Sequence, residues 1–406
     1  MTSEAETHCD VLVVGGGPAG LVAALAAAQA GFATVAVGPA VDPARDTRTT
    51  ALFTGSVAML GNLGLTAALG TALVPMTDLR LIDDTGGLWR APEILFRADE
   101  LGLDAFGMNV DNAALNTALL AAARAQPNLR LIEDTVAADF QFDDADVTVR
   151  CANGGSVTAQ LIVGADGRGS RCRAEAGIDV TASPYPQSAV ATRFHHTRPH
   201  DNISSEFHRT AGPLTTVPLN GKESSLIWVE APEEAKRLMA LDEVAFVREL
   251  DTRLMGLLGP ITAIGRRATF PLSRMSASRL GARRIALVGE AAHVIPPIGA
   301  QGLNLGLRDV AAVIELATQA RRVGADIGSE ALLTAYDSAR SSDISTRATA
   351  IDTLNRSLIS DFLPLHLVRG AGLHALNTLP WLRRIVMREG LHPTGHVPPL
   401  MRAPAQ

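Results

Sequence analysis

Three glycine-bearing segments hold the residues whose types and spacing could do chemistry. The longest runs from Gly289-Glu290-Ala291-Ala292-His293 through Pro296-Pro297-Ile298-Gly299-Ala300-Gln301-Gly302-Leu303-Asn304-Leu305-Gly306 to Asp309. The apolar run Ile285 to Val288 before it reads as a buried strand, and Leu303, Leu307, Val310 and Ile314 recur afterwards at helical spacing. Such a loop sets unpaired backbone N–H groups and the positive end of a helix dipole against whatever lies in front of it. Gly299, Gly302 and Gly306 remove side chains that would hold a flat ring away. The chemistry on offer is the stabilisation of negative charge on a planar ligand.

The second segment, Gly15-Gly16-Gly17-Pro18-Ala19-Gly20, lies between the apolar strand Asp10 to Val14 and an Ala-rich helix. Gly15, Gly17 and Gly20 fit G-x-G-x-x-G. In a dinucleotide-binding βαβ unit the first glycine makes the turn, the second admits the pyrophosphate and the third lets helix and strand approach. The next strand, Thr34 to Val37, ends in Gly38, where an acid usually holds the ribose; Asp42 or Arg48 could substitute. The third segment is Gly164-Ala165-Asp166-Gly167-Arg168-Gly169-Ser170-Arg171, a turn after the strand Leu161 to Val163.

Together these segments resemble the FAD-dependent aromatic-ring hydroxylases, the group that includes para-hydroxybenzoate hydroxylase, and more closely the ubiquinone-biosynthesis hydroxylase family. The resemblance covers most of the chain. It includes Arg48 with Ala51-Leu52, Gly212-Pro213-Leu214 to Val217-Pro218-Leu219, and Phe270-Pro271-Leu272. The run Pro297 to Asn304 favours the ubiquinone branch, because the benzoate enzymes usually carry Lys at the Gln301 position. Glu290 departs from the family's usual Asp, which grips the ribityl chain; Glu is one methylene longer and keeps the charge.

The resemblance implies an α/β fold: a discontinuous Rossmann-type FAD-binding domain (residues 1–75, 106–180 and 275–350) and an inserted mixed β-sheet substrate domain (76–105 and 181–274). A helical C-terminal segment (351–406) follows. The implied cofactor contacts are Gly15, Gly17, Pro18, Ala19, Gly20, Arg48, Asp166, Gly289, Glu290, Pro297, Gly299, Gly302, Leu303 and Asn304. Pro297 and Gly299 would also face the substrate. Within the insert, Val190 to Phe194, Ser204 to Phe207 and Ser225 to Val229 alternate as strands do, and Leu79 to Phe96 reads as a hairpin joining them.

The implied reaction is hydroxylation of a (poly)prenylated phenol by O2 through a flavin C4a-hydroperoxide. Water must be excluded from such a site. Ring attack is faster on the phenolate, so a base is expected. Tyr185 and Tyr336 are the only tyrosines and neither falls on the matching strands; His195, His208 and Arg193 remain candidates. With no second G-x-G-x-x-G, the reductant is NADPH or NADH bound transiently, or a separate reductase.

A soluble phenolic substrate, or a flavin-stabilised scaffold subunit of a quinone-making assembly, are the alternatives. Isolated Trp89, Trp228 and Trp381, with no lysine before Lys222, argue against a halogenase. A prenyl reductase on this scaffold would not depend on oxygen.

Composition sets the outer bounds. The 406 residues, 47% hydrophobic and 19% charged, exceed one ordinary core and mark a globular chain of more than one domain. A net charge of −6 offers nothing to nucleic acid. Cys9, Cys151 and Cys172 make no C-x-x-C, which suits a reducing cytoplasm and no dithiol chemistry. His195 and His196 are adjacent, hence on opposite strand faces, so no metal site is expected. No run reaches the roughly 18 apolar residues of a membrane span. From Leu365 to Arg402, however, five arginines face one acid, Glu389, with Trp381, Leu382, Ile385 and Val386 among them. That pattern fits contact with the inner membrane or a quinone-biosynthesis protein as well as a packing helix. The sequence leaves a homodimer open.

Overall fold

A computed structural model describes residues 7–40, 42–43, 46–86, 92–297, 299–359, 372–391 and 396–403. Apolar runs buried on both faces form its central sheet. Val11, Leu12 and Val13, Leu161 to Val163, and Ile285 to Leu287 are all fully buried, as strands of a parallel sheet between helices must be. Five strands run parallel in the order Ile285–Leu287, Ser156–Gly164, Thr7–Val14, Thr34–Val37 and Leu129–Ile132. The helices Pro18–Gln29 and Gln301–Arg322 cover this sheet. An antiparallel pair, Ala137–Phe142 and Val147–Cys151, extends from Ser156–Gly164. The consequence for function is topological: the three strands that feed the three glycine segments are immediate neighbours and parallel. Their loops therefore leave at one carboxyl edge, where open α/β sheets bind ligands.

A second sheet stands over that edge. Its order is His293–Val294, Ala268–Ala277, Val180–His196, Glu223–Glu230, Leu214–Pro218, Ile203–His208, Asp78–Asp83 and Ile94–Arg97, with Ile261–Ile264 on Val180–His196. The last two main-path strands pair antiparallel, as a hairpin would; Trp89 and the rest of residues 87–91 lie outside the described residues. One face packs Phe194, Phe207, Leu214, Leu226 and Trp228 against Phe246, Leu238 and Leu250. Those last three come from two helices, Pro232–Ala240 and Glu243–Arg253. Alternation in the insert predicts strands there and no helices. Their signals are local caps: Pro232 at the first helical position, and Asp242, whose carboxylate accepts from Ala245 N at 2.7 Å.

A small sheet of Thr49–Phe53, Gly107–Asp111 and Val74–Met76 fills the space between the two large ones. The helices Glu330–Ile359 and Pro380–Leu391 complete the described C-terminal part.

Candidate active site

The first glycine loop is pressed into place. Gly15 has φ +134°, and a Cβ there would lie 2.2 Å from the Ala165 carbonyl oxygen. A Cβ on Gly20 would lie 2.0 Å from Gly15 O. Gly17 differs, since a Cβ there would meet nothing within 4 Å. Gly17 is also the N-cap of Pro18–Gln29, with no side-chain cap and no acid in the first turn. A bare, uncapped helix start with open space before it fits a pyrophosphate. Gly38 explains the missing ribose acid: a Cβ there would sit 2.4 Å from Gly16 N. Any side chain at this position would push the glycine loop away.

The other two loops meet the first. Arg48 donates to Asp46 at 2.8 and 2.7 Å, and lies 5.2 Å from the centroid of the Phe270 ring. Its hydrogen bond to Asp46 raises the guanidinium pKa, and the Glu290 charge adds to that field. Glu290 is exposed and pairs with Arg168 at 3.3 Å, which ties the Gly289 loop to the Gly-Asp-Gly loop. Asp166 spends both carboxylate oxygens locally, accepting from Ser170 Oγ at 2.5 Å and Cys172 N at 3.0 Å. A cleft of about 890 Å³ opens beside Asp42, Asp46, Arg48 and Phe270, with Arg266 and Arg267 on its far wall.

The third loop carries the longest helix start. Gly299 (φ +65°) and Ala300 (φ +52°) turn the chain into Gln301–Arg322, which has neither a side-chain cap nor an acid in its first turn. Pro297, Gly299 and Gly302 are exposed and Leu303 is half-buried, whereas Ile298 lies outside the described residues. Asn304 is buried and its amide is fully used. It accepts from Phe53 N and Ser56 Oγ at 2.9 and 2.7 Å, and donates to Ala51 O and Ala300 O at 2.8 and 2.6 Å. Only its backbone is left for a ligand. Gly306 does not make room for a ring. It is buried, and a Cβ there would lie 3.0 Å from the Gly289 Cα, so its task is the close packing of helix on turn.

The acid that holds this loop stands at the end of the third segment with no motif of its own. Asp309, fully buried, accepts from Gly289 N at 3.1 Å, His293 Nε2 at 2.6 Å and Arg340 Nε at 2.9 Å. Asp343 in turn binds Arg308, Arg340 and Arg347. Arg347 reaches Gln301 Oε1 at 3.1 Å and the Gly390 carbonyl at 2.9 Å, while Arg308 reaches Leu391 O at 2.6 Å. The end of the Pro380–Leu391 helix is thereby seated on the start of Gln301–Arg322. The available signal was the arginine spacing at 340 and 347 around Asp343, one helical face.

The structure separates the base candidates. Arg193 is closed by Asp111 at 2.6 Å and Glu223 at 2.7 Å, and a guanidinium has no acceptor site; it fixes the second sheet to the small one. His195 is 57% exposed beside Glu223, at 3.8 Å. His208 is buried and bonded to Glu206 at 2.8 Å. Tyr185 donates to Asp352, and burial with that partner pushes it up to about 12. Tyr336 donates to Leu287 O inside the core of the parallel sheet. The three cysteines are free thiols, and burial pushes Cys9 up to about 12.

A family model described as an FAD binding domain matches residues 8–350. The chain is 34% identical over 397 residues to a ubiquinone hydroxylase of Rhodospirillum rubrum, covering 96% of this chain and 91% of that one. It is 31% identical over 391 residues to the 3-demethoxyubiquinol 3-hydroxylase of Escherichia coli, covering 94% and 98%. In fold it is similar to the p-nitrophenol 4-monooxygenase of Pseudomonas putida, with a TM-score of 0.79 at 21% identity over 97% of this chain and 100% of that one. The glycine loops, the uncapped helix starts and these likenesses agree: the chain belongs to the FAD-binding-domain flavoproteins and, among them, to the FAD-dependent hydroxylases of ubiquinone biosynthesis.

Proposed function

We propose that the chain hydroxylates the aromatic ring of a prenylated phenol, with NADPH or NADH as transient reductant. The observation that carries the reading is the convergence of three glycine loops and two uncapped helix starts on one edge of the parallel sheet, under a second sheet. FAD, when bound, supplies the redox chemistry that splits O2 and places one oxygen atom on the ring.

The protein supplies position, charge and dryness. Gly15, Gly17, Pro18, Ala19 and Gly20 seat the pyrophosphate at the Pro18–Gln29 helix start. Arg48 and the Asp166 turn would border it, and Glu290, now paired with Arg168, would hold a ribityl hydroxyl. Gly299, Gly302, Leu303 and the Asn304 backbone would hold the ring end of FAD with amides and the positive end of the helix dipole. Gly289 spaces the turn, and the Pro297 carbonyl faces the substrate ring.

An apolar cluster holds the C-terminal helix beside the third loop. Ile94, Phe96 and Phe106 pack with Met387 and Leu391 of the C-terminal helix, and the cluster extends to Ala300, the residue that opens the flavin helix. The outer side of the same helix exposes Trp381, Ile385 and Val386. We place this face at a membrane surface, where polyprenyl phenols reside. Among the described residues no helix is long and apolar enough to cross a membrane.

Turnover under isotope-labelled O2 with a prenylated phenol and reductant tests the reading. One labelled atom should appear in the ring product. Label drawn from water, or turnover without oxygen, would overturn it.

A further inference from the structure

Strand register decides what the second sheet shows to the flavin loops. Phe207, Leu214 and Trp228 point into the helix-covered core, so by alternation Glu206, His208, Thr215 and Ile227 point to the opposite face. That face looks toward the flavin side, because Ser225 on it accepts from Thr49 Oγ1 at 2.9 Å. Glu206 stands between Thr215 on one neighbouring strand and Leu81 on the other. Leu81 packs in the same cluster as Phe53 and Ala300. Glu206 therefore lies on the sheet face it shares with Leu81, whose apolar cluster reaches Ala300 at the third loop.

His208 Nε2 lies 2.8 Å from Glu206 Oε1, and Thr215 Oγ1 donates to Oε2 at 3.4 Å. The side chains are 4% and 14% exposed. A carboxylate only accepts, so Nε2 carries the proton and the Nδ1 lone pair is left over. Among the described residues Nδ1 has no hydrogen-bond partner. Of the neighbouring charges, Arg209 is committed to Glu230 at 2.7 Å and Asp84 at 3.7 Å, and the buried Asp83, paired with His208 across the strands, adds negative charge that favours a proton on the imidazole.

We infer that Glu206 and His208 are the proton-accepting pair for the ring hydroxyl of the substrate. The inference rests on the phenolic-substrate reading above. The phenol O–H bond breaks, its proton moves to His208 Nδ1, and its electron pair stays on the oxygen. The Glu206 carboxylate stabilises the imidazolium and fixes the tautomer, as an acid behind a histidine base does. No electron is gained or lost in this step. The phenolate enriches the ring carbons beside and opposite its oxygen, which are the carbons an electrophilic oxygen attacks.

The test uses the holoenzyme and 2-prenyl-4-nitrophenol, whose phenolate has its own absorption band. Wild-type protein should take up the probe as the phenolate at a pH below the free probe's pKa. His208→Gln and Glu206→Gln, with FAD retained, should still bind it but ionise it only where free solution does. Their kcat on a prenylated phenol should fall about 10²-fold and recover as pH rises toward the phenol's own pKa. If His208→Gln loses its FAD, the Glu206→Gln spectrum decides alone. Uptake of the neutral phenol by wild type, or ionisation by the variants equal to wild type, would overturn the pair. No uptake by wild type would overturn the phenolic reading, and the pair with it.

Discussion

Asp309 accepts the backbone N–H of Gly289, twenty residues earlier, at 3.1 Å inside a fully buried site. Burial opposes its charge, but His293 and Arg340 outweigh that and hold its pKa below the ordinary carboxylate value. Asp309→Asn leaves the Arg340 guanidinium deprived of one buried counter-charge. The expected cost is about 3–5 kcal/mol, the range for breaking a buried pair. Thermal unfolding of the apoprotein measures it, and a wild-type midpoint would show that the acid is not what holds the turn.

Acid should loosen the C-terminal helix before the sheet. Asp343, held by Arg308, Arg340 and Arg347, has its pKa lowered from 3.8 to about 2; burial alone would raise it, and the guanidinium charges reverse that. A depressed folded-state pKa stabilises above the unfolded value and is lost as pH falls through the folded one. The contribution, about 2 kcal/mol at neutral pH, should therefore fade between about pH 4 and pH 2. Hydrogen exchange in residues 380–391 should rise across that window, since Arg308 and Arg347 hold the carbonyls of Leu391 and Gly390. Unchanged protection of that helix at pH 3 would argue against the clamp.

Two glycines three residues apart should fail in different ways. Gly20→Ala sets a methyl 2.0 Å from the Gly15 carbonyl and should unfold the βαβ unit. Gly17→Ala meets no protein atom within 4 Å, so the fold should survive while the methyl takes the space of the pyrophosphate. Apoprotein stability and FAD titration separate the cases. Wild-type FAD affinity in a folded Gly17→Ala protein would remove the pyrophosphate from that loop.

Parallel strands buried on both faces are runs of Val, Ile and Leu, and so Thr34 to Val37 was legible to the residue. The glycine loops were legible for the same local reason, because a positive φ or a close approach leaves a glycine in the sequence. Pairings across long separations leave no such mark. Nothing in the period of Gln301–Arg322 says that Asp309 holds Gly289, or that the Asn304 amide is used up by Ala51, Phe53, Ser56 and Ala300. Gly38 reads as a departure until Gly16 N is seen against it. Arg193 reads as a site residue until two carboxylates close on it.

Glu290 is half-exposed and shares its charge with Arg168 at 3.3 Å, so losing it should cost the fold little. If its carboxylate takes a ribityl hydroxyl, Glu290→Ala should weaken FAD by about 1.5–3 kcal/mol, the range for a hydrogen bond to a charged group. Glu290→Asp should be milder. Calorimetric titration of FAD into the apoproteins reads the difference. Equal affinity in all three would make Glu290 a surface acid.

The outer face of Pro380–Leu391 should govern membrane contact without governing the chemistry. Trp381, Ile385 and Val386 are exposed at 57%, 50% and 43%. Arg384 lies on the same helix, whereas Arg383 is taken by Glu100 at 2.8 Å. Met387 and Leu391 face inward and hold the helix to the apolar cluster, so changes on the outer face should leave the fold intact. Exposed aromatic and aliphatic groups beside arginine suit an anionic interface, each contributing through buried apolar area and attraction to lipid head groups. Replacing Trp381, Arg384 and Ile385 together with Ser, Gln and Thr should lower binding to vesicles containing anionic lipid. It should also lower turnover of a long-tailed phenol presented in them. Turnover of a short-tailed phenol in solution should stay at the wild-type rate, because no residue of the cluster around Ala300 has changed. If the two substrates lose activity equally, or vesicle binding holds, the helix only packs.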